Sequence, residues 1–266
     1  MLKISVVTVC YNAAATIEET IQSVLNQTYP NVEYIIIDGG STDGTVDIIK
    51  KYADRVAYWI SEPDKGIYDA MNKGIAAATG DYINFMNAGD RFTSKDTLTN
   101  FTCLIKSDTF VAYGDCNMHL NGNISITRPV PITYIKKRMP FCHQSCFVNT
   151  TYHKTHLFDT SFKVLADYNM FYNAYYNHEV KFQYIPLCVA DYDIGIDNAS
   201  SKYYKLYIRE RYRIWGIECD MWRKIPHELR LVYIRISNCV KRVLPTKLVI
   251  KIKMLFDYFR PHENIK

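Results

Sequence analysis

The chain lacks the short signatures of several common enzyme classes. It has no Gly-x-Gly-x-x-Gly, no phosphate loop ending in Gly-Lys-Ser/Thr and no Gly-x-Ser-x-Gly turn. A dinucleotide-binding glycine loop, a P-loop NTPase and a serine nucleophile elbow are thereby excluded. No apolar run approaches the ~20 residues that span a bilayer. No charged-then-apolar leader opens the chain, since Lys3 is followed at once by a patterned strand. The expectation is a cytosolic protein. The eight cysteines (Cys10, Cys103, Cys116, Cys142, Cys146, Cys188, Cys219 and Cys239) include no Cys-x-x-Cys pair, and several sit in apolar runs. This suits reduced thiols better than a disulfide frame. Cys142, His143 and Cys146 lack the second pair that a zinc site needs. There is no internal repeat and no low-complexity stretch.

What is present is a full core's worth of chain with an uneven charge. The 266 residues, 48% of them hydrophobic, suit one large domain or a domain with an extension. Residues 1–201 hold 16 Lys/Arg against 21 Asp/Glu, or −5, whereas residues 202–266 hold 16 against 6, or +10. A basic tail follows an acidic body.

Ile4 to Cys10 reads as a buried strand, Ala13 to Leu25 as a helix and Asn31 to Ile37 as a second strand. One βαβ unit in the first forty residues predicts a parallel sheet. The second strand stops at Asp38, and Gly39-Gly40-Ser41-Thr42-Asp43-Gly44-Thr45 turns into a helix. Ligands of open α/β sheets bind at the carboxyl ends of strands, so Asp38 is a candidate ligand residue, with a helix cap or turn residue as the plainer alternative. A third strand, a turn around Pro63 to Gly66 and a helix from Ile67 to Thr79 closed by Gly80 follow. Tyr82 to Met86 is a strand that delivers Asn87-Ala88-Gly89-Asp90 to the same edge. Phe110 to Asp115 is another strand ending in a carboxylate. A hairpin around Asn121-Gly122, a strand from Cys142 to Asn149, a helix over 166–177 and one or two strands over 180–189 complete the body. Asp38, Asp43, Asp64, Asp90 and Asp115 thus gather toward one sheet edge. Without a glycine phosphate loop, that acidity suits a divalent cation bridging carboxylates to phosphates.

Three segments resemble family 2 glycosyltransferases, inverting enzymes of the GT-A fold: Thr8 to Asn12, Ile35 to Thr45 and Gly80 to Asp90. Ser61 to Gly74, Tyr113-Gly114-Asp115, His143-Gln144 and Ala166-Asp167-Tyr168 look like a bacterial branch that builds surface polysaccharides. The resemblance covers about residues 3–200. It implies an α/β fold, a GT-A-type, Rossmann-like, mostly parallel sheet with flanking helices. The nucleotide-sugar half would cover about 1–115 and the acceptor half 116–201. It also implies a nucleotide-sugar donor, a UDP-sugar above all, and a glycan or lipid-linked glycan as acceptor. Thr8, Val9, Tyr11 and Asn12 would line the nucleobase pocket. Asp38 and Asp64 would hold the nucleoside, and Asn87 to Asp90 falls on the metal motif, with Ala88 beside the nucleotide. Asp167 falls on the catalytic base, an N-cap for the following helix being the alternative. The motif departs from the usual one, because Asn87 and Gly89 stand where carboxylates are common. Asp90 and Asn87 are then the metal candidates for Mg²⁺ or Mn²⁺. Lys65 and Lys73 could pair with phosphates, Lys65 better. His143 and Gln144 could touch the diphosphate or the acceptor, or His143 could be structural.

From residue 202 the pattern is helical, basic and aromatic. Tyr204, Tyr207, Ile208, Tyr212 and Trp215 form one stripe, and Leu248, Ile252, Leu255, Phe256 and Phe259 another. Such a segment suits the inner face of the plasma membrane. Packing on the catalytic domain and a dimer interface are the other readings, and the oligomeric state is open. Nucleic acid does not fit an acidic body without a reading motif. Two other functions stand beside the transferase: a non-catalytic nucleotide-sugar-binding subunit and a nucleotidyltransferase. The latter would need a glycine-rich, basic first loop, and Thr8 to Ala15 has neither glycine nor base.

Overall fold

The computed structural model describes residues 1–120, 123–177, 180–193 and 203–216. Its first half is built on four parallel strands: β1 (Ile4–Cys10), β2 (Val32–Asp38), β3 (Tyr58–Ser61) and β4 (Tyr82–Phe85). They lie in the order β3-β2-β1-β4. Every residue of β1 is buried, as a parallel strand covered on both faces requires. Side chains alternate across the sheet. Val7, Val9, Ile35 and Ile37 point to one face and pack with Tyr68, Met71 and Ile75 of α3 (Ile67–Ala77). Ile4, Val6, Tyr34 and Ile36 point to the other. There they meet Ile17, Ile21 and Val24 of α1 (Ile17–Leu25), Ile49 of α2 (Thr45–Lys51), and Leu98 and Phe101 of α4 (Thr97–Leu104).

The second half widens the sheet and mixes its directions. Its strands are β5 (Arg91–Phe92), β6 (Val111–Leu120), β7 (Asn123–Thr127), β8 (Cys146–Asn149) and β9 (Phe182–Asp193). The full order is β3-β2-β1-β4-β8-β6-β9-β5, with β7 paired to β6. β8 enters antiparallel between β4 and β6, while β6 and β9 run parallel. The helices here are α5 (Thr150–Thr155), α6 (Ala166–Tyr176) and α7 (Tyr204–Ile214). Ala166, Met170, Phe171 and Ala174 of α6 join the face that carries α3.

Three local expectations are corrected. The strand expected to end at Asp115 runs on to Leu120, because it continues directly into the β6–β7 hairpin. The strand expected from Cys142 begins at Cys146, after a 3-10 turn at His143–Ser145. Gly80 does not close α3, whose cap is the extended Ala78. A β-carbon at Gly80 would lie 2.6 Å from the Lys3 carbonyl, so glycine is needed there for close approach to the start of β1.

The chain divides into two compact units, Met1–Trp215 and Gly216–Lys266. α7 therefore lies in the first unit. Ile208 is buried, and Leu206, Tyr207 and Ile214 pack against the core. For this first stripe the packing reading fits. The second stripe, Leu248 to Phe259, lies outside the described residues, as do Cys219 and Cys239. The six described cysteines are free. No helix among the described residues is long and apolar enough to cross a membrane.

Candidate active site

The parallel strands β1, β2 and β4 end together, and their following loops interlock. Asn12 adopts φ +48°, a left-handed conformation that Asn tolerates. Its N–H donates to Ser41 Oγ at 2.8 Å, and its side-chain oxygen accepts from the Thr42 N–H at 3.0 Å. Asp43 accepts from the N–H groups of Ala14 and Thr45 at 3.0 and 3.1 Å. Asn12 and Asp43 thus bolt the loop after β1 to the loop after β2.

Asp38 is fully buried, and the protein uses both of its oxygens. It accepts from the N–H groups of Gly40 and Ser41 at 3.1 and 2.9 Å and from Ser61 Oγ at 2.6 Å. The Ser41 hydroxyl and Cys10 thiol also donate to it. Burial raises its carboxyl. The hydrogen bonds, led by Ser41 and Ser61, outweigh this and hold it below the usual carboxylate range. Asp38 shapes the loop, and in this conformation its side chain has no exposed surface. Thr8 is likewise fully buried, between the Met86 carbonyl at 2.7 Å and the Tyr34 hydroxyl at 3.0 Å. Val9 is packed in the core.

Asn12 and Asp43 are exposed but spend their side chains on the loops, and beside them Tyr11 and Asp64 also reach the surface. Tyr11 is 64% exposed. Asp64 is half-buried, and one oxygen accepts from the Gly66 N–H at 2.7 Å. Its other oxygen lies over Gly39, beside the Tyr11 ring. An aromatic plane next to a carboxylate at a sheet edge can stack a base and accept hydrogen bonds from a base or ribose. Lys65 is exposed close by. Lys73 is engaged elsewhere, with Glu62 at 2.7 Å.

Next along the edge, the Ala88 N–H donates to the Val9 carbonyl at 3.2 Å and Asp90 is buried. Thr20 ties this turn down, donating to the Asp90 carbonyl at 2.8 Å and accepting from the Gly89 N–H at 3.0 Å. The side-chain oxygen of Asn87 is buried with no hydrogen-bond partner among the described residues. No three His, Cys, Asp or Glu side chains form a metal cage among the described residues. The donors at this turn are one carboxylate and one orphaned amide oxygen. Both are hard oxygen ligands, and Mg²⁺ commonly takes one or two carboxylates plus substrate phosphates. The pair fits a cation shared with a ligand.

Asp167 lies in the first turn of α6, whose cap residue is Leu165 and has no capping side chain. Asp167 is thus not the N-cap. The Tyr68 hydroxyl lies 3.0 Å from Asp167 Oδ1 and 2.8 Å from the Val164 carbonyl. Burial, then the Asp167 charge, pushes the Tyr68 phenol well up, so it stays a donor. His143 lies among the rings of Phe85, Phe158 and Phe171. Burial lowers its imidazole below the usual histidine value, and Asp167 opposes this. A neutral His143 can exchange hydrogen bonds but brings no charge to a diphosphate. The Gln144 carbonyl accepts from buried Asn84, which also holds the Cys146 carbonyl, each at 2.9 Å. Asn84 therefore sets the turn that carries His143.

Tyr192 lies on β9, partly buried against the core. Its phenol is raised by burial first, then by Asp90, Cys142, Cys116 and Asp167. Asp115 is drawn away from this edge, to the Tyr184 hydroxyl at 2.8 Å. Tyr68 and Asn84 were missed from sequence because each looks like an ordinary core residue of its helix or strand.

Residues 5–164 match the model of Glycosyl transferase family 2. The chain belongs to this family. An uncharacterized glycosyltransferase of Mycobacterium tuberculosis is 33% identical over 171 residues, covering 62% of this chain and 65% of that protein. The match thus spans just under two thirds of the relative. S. aureus TarS 1–349, solved with UDP-GlcNAc, has a TM-score of 0.63 at 19% identity, covering 80% of this chain and 66% of that one. The mannosyltransferase PcManGT from Pyrobaculum calidifontis, solved with GDP-Man and Mn²⁺, has a TM-score of 0.63 at 16% identity, covering 98% and 81%. Their likeness shows a GT-A-type, Rossmann-like fold for this chain.

Proposed function

We propose that this chain is an inverting glycosyltransferase with Asp167 as general base. It moves a sugar from a nucleotide-diphosphate sugar, most simply a UDP-sugar, to a hydroxyl of a glycan or lipid-linked glycan in bacterial polysaccharide biosynthesis. The observation that carries this is the oriented carboxylate of Asp167, which sits in the first turn of α6 with the Tyr68 hydroxyl 3.0 Å from its Oδ1. The family match and neighbours solved with nucleotide sugars support it.

In this reading Tyr11 stacks the base, Asp64 accepts hydrogen bonds from the nucleoside, and Lys65 reaches the phosphates. Asp167 takes the proton of the acceptor hydroxyl as its oxygen attacks the anomeric carbon. The bond to the nucleotide diphosphate breaks on the opposite side, which inverts the centre. Asp90 and Asn87 would hold Mg²⁺ or Mn²⁺, which offsets charge on the leaving diphosphate when bound. Contact with the inner face of the membrane falls to residues 217–266 in this reading.

Calorimetric titration of UDP, GDP and dTDP, each with Mn²⁺ and with EDTA, tests the donor site. Binding of one nucleotide that collapses in EDTA supports both the donor class and the cation. Equal binding in EDTA supports the donor class and removes the cation. No binding to any of them contradicts the reading.

A further inference from the structure

Glu210 lies 43 residues beyond Asp167, on α7, yet its carboxylate reaches the segment that delivers Asp167. Glu210 is buried. Its Oε1 accepts from the Lys163 N–H at 2.6 Å, and its Oε2 accepts from the N–H groups of Val164 and Leu165 at 3.0 and 2.9 Å. A helix start leaves backbone N–H groups without intrahelical partners. Leu165, the cap of α6, has no side-chain oxygen to offer. Glu210, on another helix, accepts from the cap N–H of Leu165 and from the two N–H groups before it, at the positive end of the α6 dipole. A buried carboxylate is costly unless hydrogen-bonded, and these three donors offset that cost.

One peptide unit matters most. The Val164 carbonyl and the Leu165 N–H belong to the same plane. Tyr68 donates to the carbonyl at 2.8 Å, and Glu210 accepts from the N–H at 2.9 Å. The plane is clamped from both sides. The same Tyr68 hydroxyl lies 3.0 Å from Asp167 Oδ1. It has one proton for two acceptors, so its balance between them depends on where that peptide sits. The rest of α7 is fastened to this region as well. Arg213 donates to Ser161 Oγ at 2.8 Å, and Trp215 donates to the Tyr168 hydroxyl at 2.9 Å.

We propose that Glu210 is a positioning residue for Asp167, acting through the 164–165 peptide and the Tyr68 hydroxyl. The proposal rests on the reading of Asp167 as the base. It makes α7 a working part of the transferase.

The test is a double-mutant cycle in the full chain, with Glu210→Gln, Asp167→Asn and both together. Turnover and donor-nucleotide affinity are measured for each. Glu210→Gln alone is expected to lower kcat about 10- to 100-fold, the range that follows from a misplaced reacting group, with donor Kd within about twofold. In the Asp167→Asn background it is expected to cost no more than about twofold further, because residues acting as a unit are non-additive. An equal loss in both backgrounds, or a loss confined to donor Kd, overturns the proposal. Glu210→Asp keeps the charge one methylene short. It decides the matter if the Gln variant does not fold: an intermediate kcat with donor Kd kept supports the proposal, and wild-type kcat overturns it. The two readings fail differently. Full turnover in Asp167→Asn removes the base assignment, and this proposal with it. Loss of turnover there with none in Glu210→Gln removes this proposal alone.

Discussion

A β-carbon on Gly39 would lie 2.5 Å from Asp64 Oδ2 and 3.4 Å from the Tyr11 ring. Gly39 and Asp64 are thus complementary: the missing side chain makes the space that the carboxylate fills. Asp38 is locked into its own loop. The acid that presents itself at this strand end comes instead from the loop between β3 and α3.

Gly39→Ala should therefore displace Asp64 and weaken donor binding while leaving the chemical step intact. A rise in donor KM of about tenfold with kcat within about twofold is expected, the pattern of lost uniform binding. Steady-state kinetics at saturating acceptor checks it. Asp64→Ala should show at least the same rise.

Tyr68→Phe removes one hydroxyl and two bonds, to the Val164 carbonyl and to Asp167. The expected loss is about tenfold in kcat, with donor KM unchanged. Stability should fall by about 1 kcal/mol, an ordinary hydrogen bond's share. Denaturant unfolding separates the two effects.

Thr8 gives the opposite expectation. Its hydroxyl ties β1 to the Met86 carbonyl and to the Tyr34 hydroxyl inside the sheet. Thr8→Val should cost about 1–2 kcal/mol, since it leaves buried polar partners unpaired. Nucleotide affinity measured by calorimetry should not change.

Histidine burial sets part of the acid sensitivity. His153 is fully buried, and burial lowers its imidazole from 6.5 to about 4, outweighing a bond to the His156 carbonyl. Above pH 6.5 it is neutral in both folded and unfolded chain. As pH falls from 6.5 toward 4, the unfolded chain takes up a proton that the fold resists, so stability is lost in that window. The loss is on the order of 3 kcal/mol. His153→Gln should flatten the fall in unfolding free energy over this range. An unchanged slope would assign the sensitivity to other groups.

The first ninety residues are legible because each element follows a simple period. Ile4 to Cys10 and Ile35 to Ile37 are apolar runs bounded by polar turns, and Ile17, Ile21 and Val24 repeat at helical spacing. Past residue 110 the periods are interrupted. β9 carries Pro186 and its pairing with β6 shifts register near Asp115, so one strand reads as two. α5 is six residues of Thr, Tyr, His and Lys with no apolar repeat. The insertion of β8 between β4 and β6 is a non-local choice that no window of sequence displays. The site follows the same division. The strand-end positions of Asp38 and Asp90 are local and were readable. That Asp38 is buried, that Asp64 fills the space over Gly39, and that Glu210 reaches Val164 all depend on contacts between distant segments.

The most direct test of the account is Asp167→Asn in the full chain, with turnover and donor-nucleotide affinity measured on the same preparation. The account predicts a fall in kcat of at least about 100-fold, the usual share of a general base, with donor affinity and melting temperature preserved. Turnover within a few-fold of wild type would contradict it.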